Sequence, residues 1–207
     1  MMRAMLFAPL LALTVAACSS PTSNEIQKAA EHGDAVAQTK LGFSYLESNP
    51  QEPQQAFGWF RKAAVQGHSP AQAMLGAMYY DGLGVQRDYN QALAWYQKAA
   101  EQGNAVAQFR MYDLDSTLGL KQRLGKVTAQ DYTPLPPNER ISWLHKSAEQ
   151  GYAEAQQTLG FLHLVGTETV ARDCQQGQVW LRKASKQGNK PAKKILDEGG
   201  KKYGCNW

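Results

Sequence analysis

The sequence predicts an all-α chain, an α-solenoid of stacked helix–turn–helix hairpins, and three observations carry that expectation. The first is one phrase written five times: IQKAAEHGDAVAQ from Ile26, FGWFRKAAVQGHSPAQ at 57–72, AWYQKAAEQGNAVAQ at 94–108, SWLHKSAEQGYAEAQ at 142–156 and VWLRKASKQGNKPAK at 179–193. The second is its period. The closing glycines Gly33, Gly67, Gly103, Gly151 and Gly188 stand 34, 36, 48 and 37 residues apart, the self-similarity of a solenoid. The third is the helical spacing of bulky and small residues inside each phrase.

The N-terminus comes first and is not part of the repeat. Residues 1–17, MMRAMLFAPLLALTVAA, carry one positive charge at Arg3, a short apolar run and small residues before Cys18. The run is shorter than the ~20 apolar residues a membrane-spanning helix needs, and its three-part layout is that of a secretory signal peptide. Val15-Ala16-Ala17-Cys18 resembles a bacterial lipobox, in which the cysteine is lipidated and becomes the first mature residue. Residues 18–24 are then the lipidated cysteine and a tether. That resemblance implies a lipid anchor in the bacterial envelope, and Ser19 after the cysteine implies the outer membrane, facing the periplasm. An ordinary signal peptide cut near Ala17, or an apolar N-terminal helix, stays open.

Residues 25–198 form the solenoid, about four repeats with terminal half-units. In the second half of each unit Trp59, Trp95, Trp143 and Trp180 recur at one position. Each is followed by a large apolar residue (Phe60, Tyr96, Leu144, Leu181), by a Lys three places after the Trp, and then by a pair of small residues. Bulky and small side chains thus share a helical stripe, and the glycine after them suits a left-handed position that stops the helix. In the first half, Ala37-Leu41-Tyr45, Ala71-Leu75-Tyr79, Ala107-Met111-Asp115 and Ala155-Leu159-His163 step by four along a second helix. Gly42, Gly76 and Gly160 follow the Leu. A mid-helix Gly costs about 1 kcal/mol relative to Ala, so its recurrence implies close helix–helix contact. No hairpin has a core of its own, and neighbours must stack to bury one.

The segment AQAMLGAMYYDGLGVQRDYNQALAWYQKAAEQG (71–103) resembles a Sel-1-like repeat, a relative of the tetratricopeptide repeat. LG before Tyr, the DGLGV loop, Asp88 before the second helix and the WYQKAAEQG ending carry the likeness. The first repeat has Asn49 to Pro53 in place of the glycine-rich loop, and the fourth has VGTETVARD. The third departs most, with Tyr112 for the Gly and Asp115 for the Tyr. The resemblance implies a non-catalytic scaffold or adaptor whose partner is another protein. It also implies two alternatives: an immunity-type inhibitor that neutralises a secreted toxic effector, or, less favoured, a β-lactam-binding or hydrolysing enzyme. The relatives behind that last reading carry a Cys pair in each repeat; this chain does not.

No catalytic constellation emerges from the residues. His32, His68, His145 and His163 are scattered and make no paired-ligand spacing, so no metal and no cofactor is expected. No nucleophile elbow, phosphate loop or dinucleotide fingerprint occurs. The four aligned Trp could stack sugars, but a residue fixed in register reads first as packing between hairpins. The net charge is +4 for the whole sequence, and the excess is late: seven Lys within 183–202 face only Asp197 and Glu198. A solvated capping helix explains them; a patch for anionic lipid or an acidic partner is the sharper alternative. Nucleic acid is not expected of an exported chain.

Two regions are free of the core's demands. One is the insertion at 116–138, STLGLKQRLGKVTAQDYTPLPPN, whose Pro-rich end is poor helix material; it reads as a surface loop able to carry binding residues, with Tyr132 as its contact. The other is the side of the first helices offset from the Ala–Leu–Tyr stripe. Lys40 and Phe43, Met74 and Ala77, Arg110 and Asp113, and Thr158 and Phe161 occupy matching positions there and vary while the scaffold repeats. The expected partner-binding set is therefore Lys40, Phe43, Met74, Arg110, Asp113, Tyr132 and Phe161. With Cys18 lipidated, Cys174 and Cys205 remain for a disulfide, which the tail 199–207 could close; free or intermolecular thiols are the alternative. Trp207 lies outside the register.

Overall fold

The computed structural model describes residues 23–48 and 51–207. The leader, Cys18 and most of the tether lie outside the described residues. Within them the chain forms ten α-helices and no strand: α1 (Ser23–Glu31), α2 (Ala35–Glu47), α3 (Pro53–Val65), α4 (Ser69–Asp81), α5 (Tyr89–Glu101), α6 (Ala105–Arg123), α7 (Pro137–Glu149), α8 (Ala153–Val165), α9 (Cys174–Lys186) and α10 (Lys190–Glu198), then a 3-10 turn at Gly200–Tyr203. Each helix packs on the next along the chain, as the stacking of incomplete hairpins requires.

Local chemistry sets the ends. The closing glycines take left-handed backbone, with φ from +84° to +97°, and let the chain turn after the small pair. Asp34, Asn104 and Asn189 then cap the next helix, each accepting a backbone N–H three residues on at 2.6, 3.0 and 2.9 Å, which satisfies one of its orphan donors. In the DGLGV loop, Gly84 has φ +72° and a Cβ there would stand 2.3 Å from the Pro53 carbonyl oxygen. Only glycine fits.

The core lies where the recurring small residues meet the residue after each Trp. Phe60, Tyr96, Leu144 and Leu181 are 0–3% exposed, as are Ala63, Ala99, Ala148 and Ala184. Gly42, Gly76 and Gly160 accept this packing. A Cβ on them would stand 2.9, 2.8 and 2.9 Å from Phe60, Tyr96 and Leu181 respectively. The Trp side chains lie at the edge of the core instead: only Trp143 is buried, while Trp95 and Trp180 are half-buried against the cluster of the preceding hairpin. They do pack hairpins together, one residue away from the deepest position.

The inter-helix loops differ in length but close at one place. The backbone N–H groups of Glu52, Asp88 and Asp173 donate to the carbonyls of Tyr45, Tyr79 and His163 at 3.0, 3.0 and 2.8 Å. The third repeat cannot use that carbonyl, because α6 runs on to Arg123 and consumes it inside the helix. The side chain of Asp115 takes over: Oδ1 accepts the Leu135 N–H at 2.7 Å and Oδ2 accepts Arg140 at 3.0 Å. The insertion is therefore part helix, part return strap. It also plugs the core. Tyr132 is fully buried with Leu114, Leu118, Val127 and Trp143, which corrects the expectation that it faces a partner. A hydrophobic slot between α5, α6 and α7 claims the ring.

Candidate functional site

The matching positions on α2, α4, α6 and α8 carry the candidate recognition surface. Lys40 and Arg110 are exposed and Met74 is half-buried. Phe43 and Phe161 are 38% and 36% exposed, but each is engaged edge-on, Phe43 with Phe60 at 5.1 Å and Phe161 with Tyr203 at 6.0 Å between ring centroids. These two are shared between surface and packing, more than the sequence pattern implies. Arg110 Nη1 bonds Asp113 Oδ2 at 3.2 Å, one helical turn away on α6. The structure thus brings Arg110 and Asp113 together and withdraws Tyr132.

Arg110 and Asp113 also wall a cleft of about 160 Å³ between α4 and α6, with Tyr80 and Asp81 opposite and Tyr96 of α5 below. Burial raises the Tyr96 pKa well above the ordinary phenol value; Asp81, Tyr80 and Asp113 add to the shift and Arg110 opposes it. The phenol is therefore a neutral hydroxyl at any physiological pH.

At the other end of the solenoid, Cys174 at the start of α9 and Cys205 in the tail are joined in a disulfide, with Cα atoms 5.7 Å apart. Arg172 reinforces the same junction: Nη2 donates to the carbonyls of Tyr203 and Gly204, and Nε donates to that of Leu164. Trp207 packs on the cluster of Leu164, Leu181, Ala184, Ala192 and Cys205. The tail is thus a lid on the last hairpin.

Sequence reasoning missed one feature. Gln38, Gln72, Gln108 and Gln156 are 4% exposed, and each donates Nε2 to the carbonyl eight residues earlier (Ala30, Ala64, Ala100, Ala148) at 3.0–3.2 Å. Their Oε1 atoms accept Nε2 of Gln66, Gln102, Gln150 and Gln187 from the next corner at 2.6–2.9 Å. The signal was present, in the AQ and QG of the repeated phrase. On the outer helices, Lys62, Lys98, Lys146 and Lys183 stand 3.8–4.2 Å over the rings of Trp59, Trp95, Trp143 and Trp180, a cation–π contact that covers these rings and argues against an open sugar platform. Among the described residues no group of three His, Cys, Asp or Glu is placed to hold a metal ion, and no helix is long and apolar enough to cross a membrane.

Comparison with known proteins agrees with this architecture. The Sel1 repeat model matches residues 35–68, 69–104, 141–152 and 153–189, leaving out α6 and the insertion. A Sel1 repeat protein from Oxalobacter formigenes is 31% identical, with a TM-score of 0.71 over 88% of this chain and 69% of that one. The protein c5321, a protective antigen of uropathogenic Escherichia coli with an SLR fold, is 34% identical, with a TM-score of 0.64 over 82% of this chain and 34% of that one. The immunity protein Pa5087 of Pseudomonas aeruginosa shares the fold at 24% identity, with a TM-score of 0.52 over 76% of this chain and 55% of that one. An F-box protein of Arabidopsis thaliana, At1g70590, is 38% identical over 63 residues, 30% of this chain. The chain spans 18% of that relative's length and 34% of c5321. With four stacked repeats in register and models matching most of the chain, the conclusion is direct: this chain belongs to the Sel1 repeat family.

Proposed function

We propose that this chain is a non-catalytic scaffold that binds another protein through the outward positions of α2, α4, α6 and α8, held at the bacterial envelope by a lipid on Cys18. One observation carries the binding reading: the buried positions repeat almost residue for residue, whereas the outward register of Lys40, Met74, Arg110 and Thr158 mixes two cations with an apolar and a hydroxyl side chain, and that of Phe43, Ala77, Asp113 and Phe161 mixes two Phe with a small and an acidic one. A scaffold held constant under a varied face is built for recognition of one partner. The anchor is read from the leader and its lipobox-like junction, and Ser19 after the cysteine supports an outer membrane, the solenoid facing the periplasm on a short tether.

An inhibitor of a toxic effector would use the same face, and the likeness to an immunity protein concerns the fold alone. Affinity capture from envelope extracts, followed by the same capture with Lys40→Ala and Arg110→Ala, tests the reading. A protein retained by the wild type and by Lys62→Ala on the outer helices, but lost with the first two variants, supports it. A captured protein that is a secreted toxin, and whose activity the chain abolishes, selects the inhibitor. Retention unaffected by Lys40→Ala and Arg110→Ala would place recognition elsewhere.

A further inference from the structure

The α4–α6 cleft stands apart from its equivalents in the other hairpins. The floor position is Phe60, Leu144 and Leu181 elsewhere, and only Tyr96 carries a hydroxyl there. Its ring is fixed: it lies flat on Gly76, where a Cβ would stand 2.8 Å from Cδ1, and Tyr96 is 3% exposed. Packing needs the ring and has no use for the oxygen. The hydroxyl makes no hydrogen bond within the described residues, yet it borders the cleft. The ring is buried but the oxygen opens onto the cleft, where it is free to accept a hydrogen bond from a group that enters.

The walls say what that group is. Asp81 is the last residue of α4 and makes no ion pair among the described residues. The negative end of the helix dipole adds to its field. Asp113 faces it from α6 and is met only by Arg110 of its own helix, at 3.2 Å with both side chains about half exposed. The Tyr80 ring completes the wall. Two carboxylates and a helix C-terminus against one guanidinium make the lining electronegative, with Lys121 Nζ outside it at 5.5 Å from the Tyr80 ring centroid. At about 160 Å³ it matches a cavity that holds one six-membered ring, about 150 Å³: room for a side chain and not for a helix.

We propose that this cleft receives one arginine or lysine side chain of the protein partner. The incoming cation bonds Asp81 and Asp113, lies against Tyr80, and donates a hydrogen bond to the Tyr96 hydroxyl, while Arg110 holds Asp113 in place and donates its remaining N–H groups to carbonyls of the partner. Charge-assisted bonds of this kind are about twice as strong as neutral ones, and an aromatic wall adds a cation–π contribution. The equivalent registers carry Lys40, Met74 and Thr158 for Arg110, and Phe43, Ala77 and Phe161 for Asp113; no other junction has the carboxylate at that register, so the basic anchor is confined to this one. This assignment rests on the reading that the first-helix face binds a protein.

The test is a chemical-shift titration of the isotope-labelled whole chain with acetyl-Gly-Arg-Gly-amide, and with acetyl-Gly-Glu-Gly-amide as the opposite-charge probe. The arginine peptide should give saturable shifts centred on Tyr80, Tyr96 and Arg110 and bind at least about tenfold more tightly than the glutamate peptide. Asp81→Asn, at an exposed helix end, should weaken it about tenfold. Tyr96→Phe keeps the ring on Gly76 and should weaken it a few-fold with an unchanged amide spectrum elsewhere. Equal affinity for both peptides, no shift with either, or indifference to Asp81→Asn and Tyr96→Phe would overturn the assignment; tighter glutamate binding would give the cleft to Arg110 and an anion instead. If the peptides fail while Lys40→Ala still weakens the captured partner, this inference falls and the scaffold reading stands.

Discussion

A Cβ on Gly76 would stand 2.8 Å from Cδ1 of the Tyr96 ring, so the contact between α4 and α5 depends on the absence of one methyl group. Tyr96 is buried among Ala92, Ala99 and Ala100 and cannot step aside. Overpacking of this kind costs about 1–3 kcal/mol, more than the helix propensity Ala brings. Gly76→Ala should therefore lower the denaturation midpoint. Gly58→Ala, where a Cβ meets nothing within 4 Å, should raise stability by up to about 1 kcal/mol. Urea melts of the two variants check the pair.

Asp115 holds the insertion by one neutral and one charged donor. Asp115→Ala leaves the Leu135 N–H and the partly buried Arg140 without their acceptor, and breaking such a pair is costly because an uncompensated charge remains. A loss of about 2–3 kcal/mol is expected, together with faster proteolysis between Gly125 and Pro134. Proteolysis as slow as in the wild type would mean that the core contacts of Tyr132 hold the strap alone.

The disulfide joins residues 31 apart in sequence. In the chain-entropy model, closing such a loop stabilises by about 3–4 kcal/mol. Cys174→Ser with Cys205→Ser should lower the melting temperature of the whole chain and free α10 and the tail first, since Arg172 and the packing of Trp207 and Tyr203 then hold them without a covalent tie. Hydrogen exchange should show that loss of protection confined to α9, α10 and the tail.

His145 is half-buried on α7, and its pKa lies below the ordinary 6.5, first through desolvation, then through His163, with Glu149 opposing. The folded state thus binds a proton less readily than the unfolded one. The sign follows: stability is fully present above pH 6.5 and declines as pH falls from there through the folded pKa. His145→Gln should flatten that part of the stability curve, measured by thermal melts across pH 5 to 8.

Much of the fold was legible because the scaffold repeats. Period, helix stops, the glycine seats and the hairpin order follow from residues such as Gly76, Gly103 and Ala99 that serve the same purpose each time. What escaped was specific to one place. Tyr132 sits in a polar, Pro-rich stretch with no periodicity, and its burial depends on a slot made jointly by α5 and the two helices that flank the insertion. Asp115 read as a mere departure from the Tyr pattern, although lengthening α6 requires a side-chain acceptor at that position. The Gln72–Gln102 pair drew no reading from the sequence because it joins corners 30 residues apart. For the candidate site, the sequence pattern placed Arg110 and Asp113 on one face; the Tyr96 hydroxyl beneath them depends on packing.

The central claim is that recognition lies on the varied first-helix face and stability on the repeated one. The measurement is the affinity and melting temperature of Arg110→Ala and Leu75→Ala, side by side, for the captured partner. The account predicts that Arg110→Ala weakens binding by about 1–3 kcal/mol with its melting temperature nearly unmoved, since it gives up only an exposed ion pair. Leu75→Ala, emptying a fully buried position, should cost about 2–5 kcal/mol of stability and leave the affinity of the folded fraction intact. Binding untouched by Arg110→Ala, or unfolding caused by it, would contradict the account.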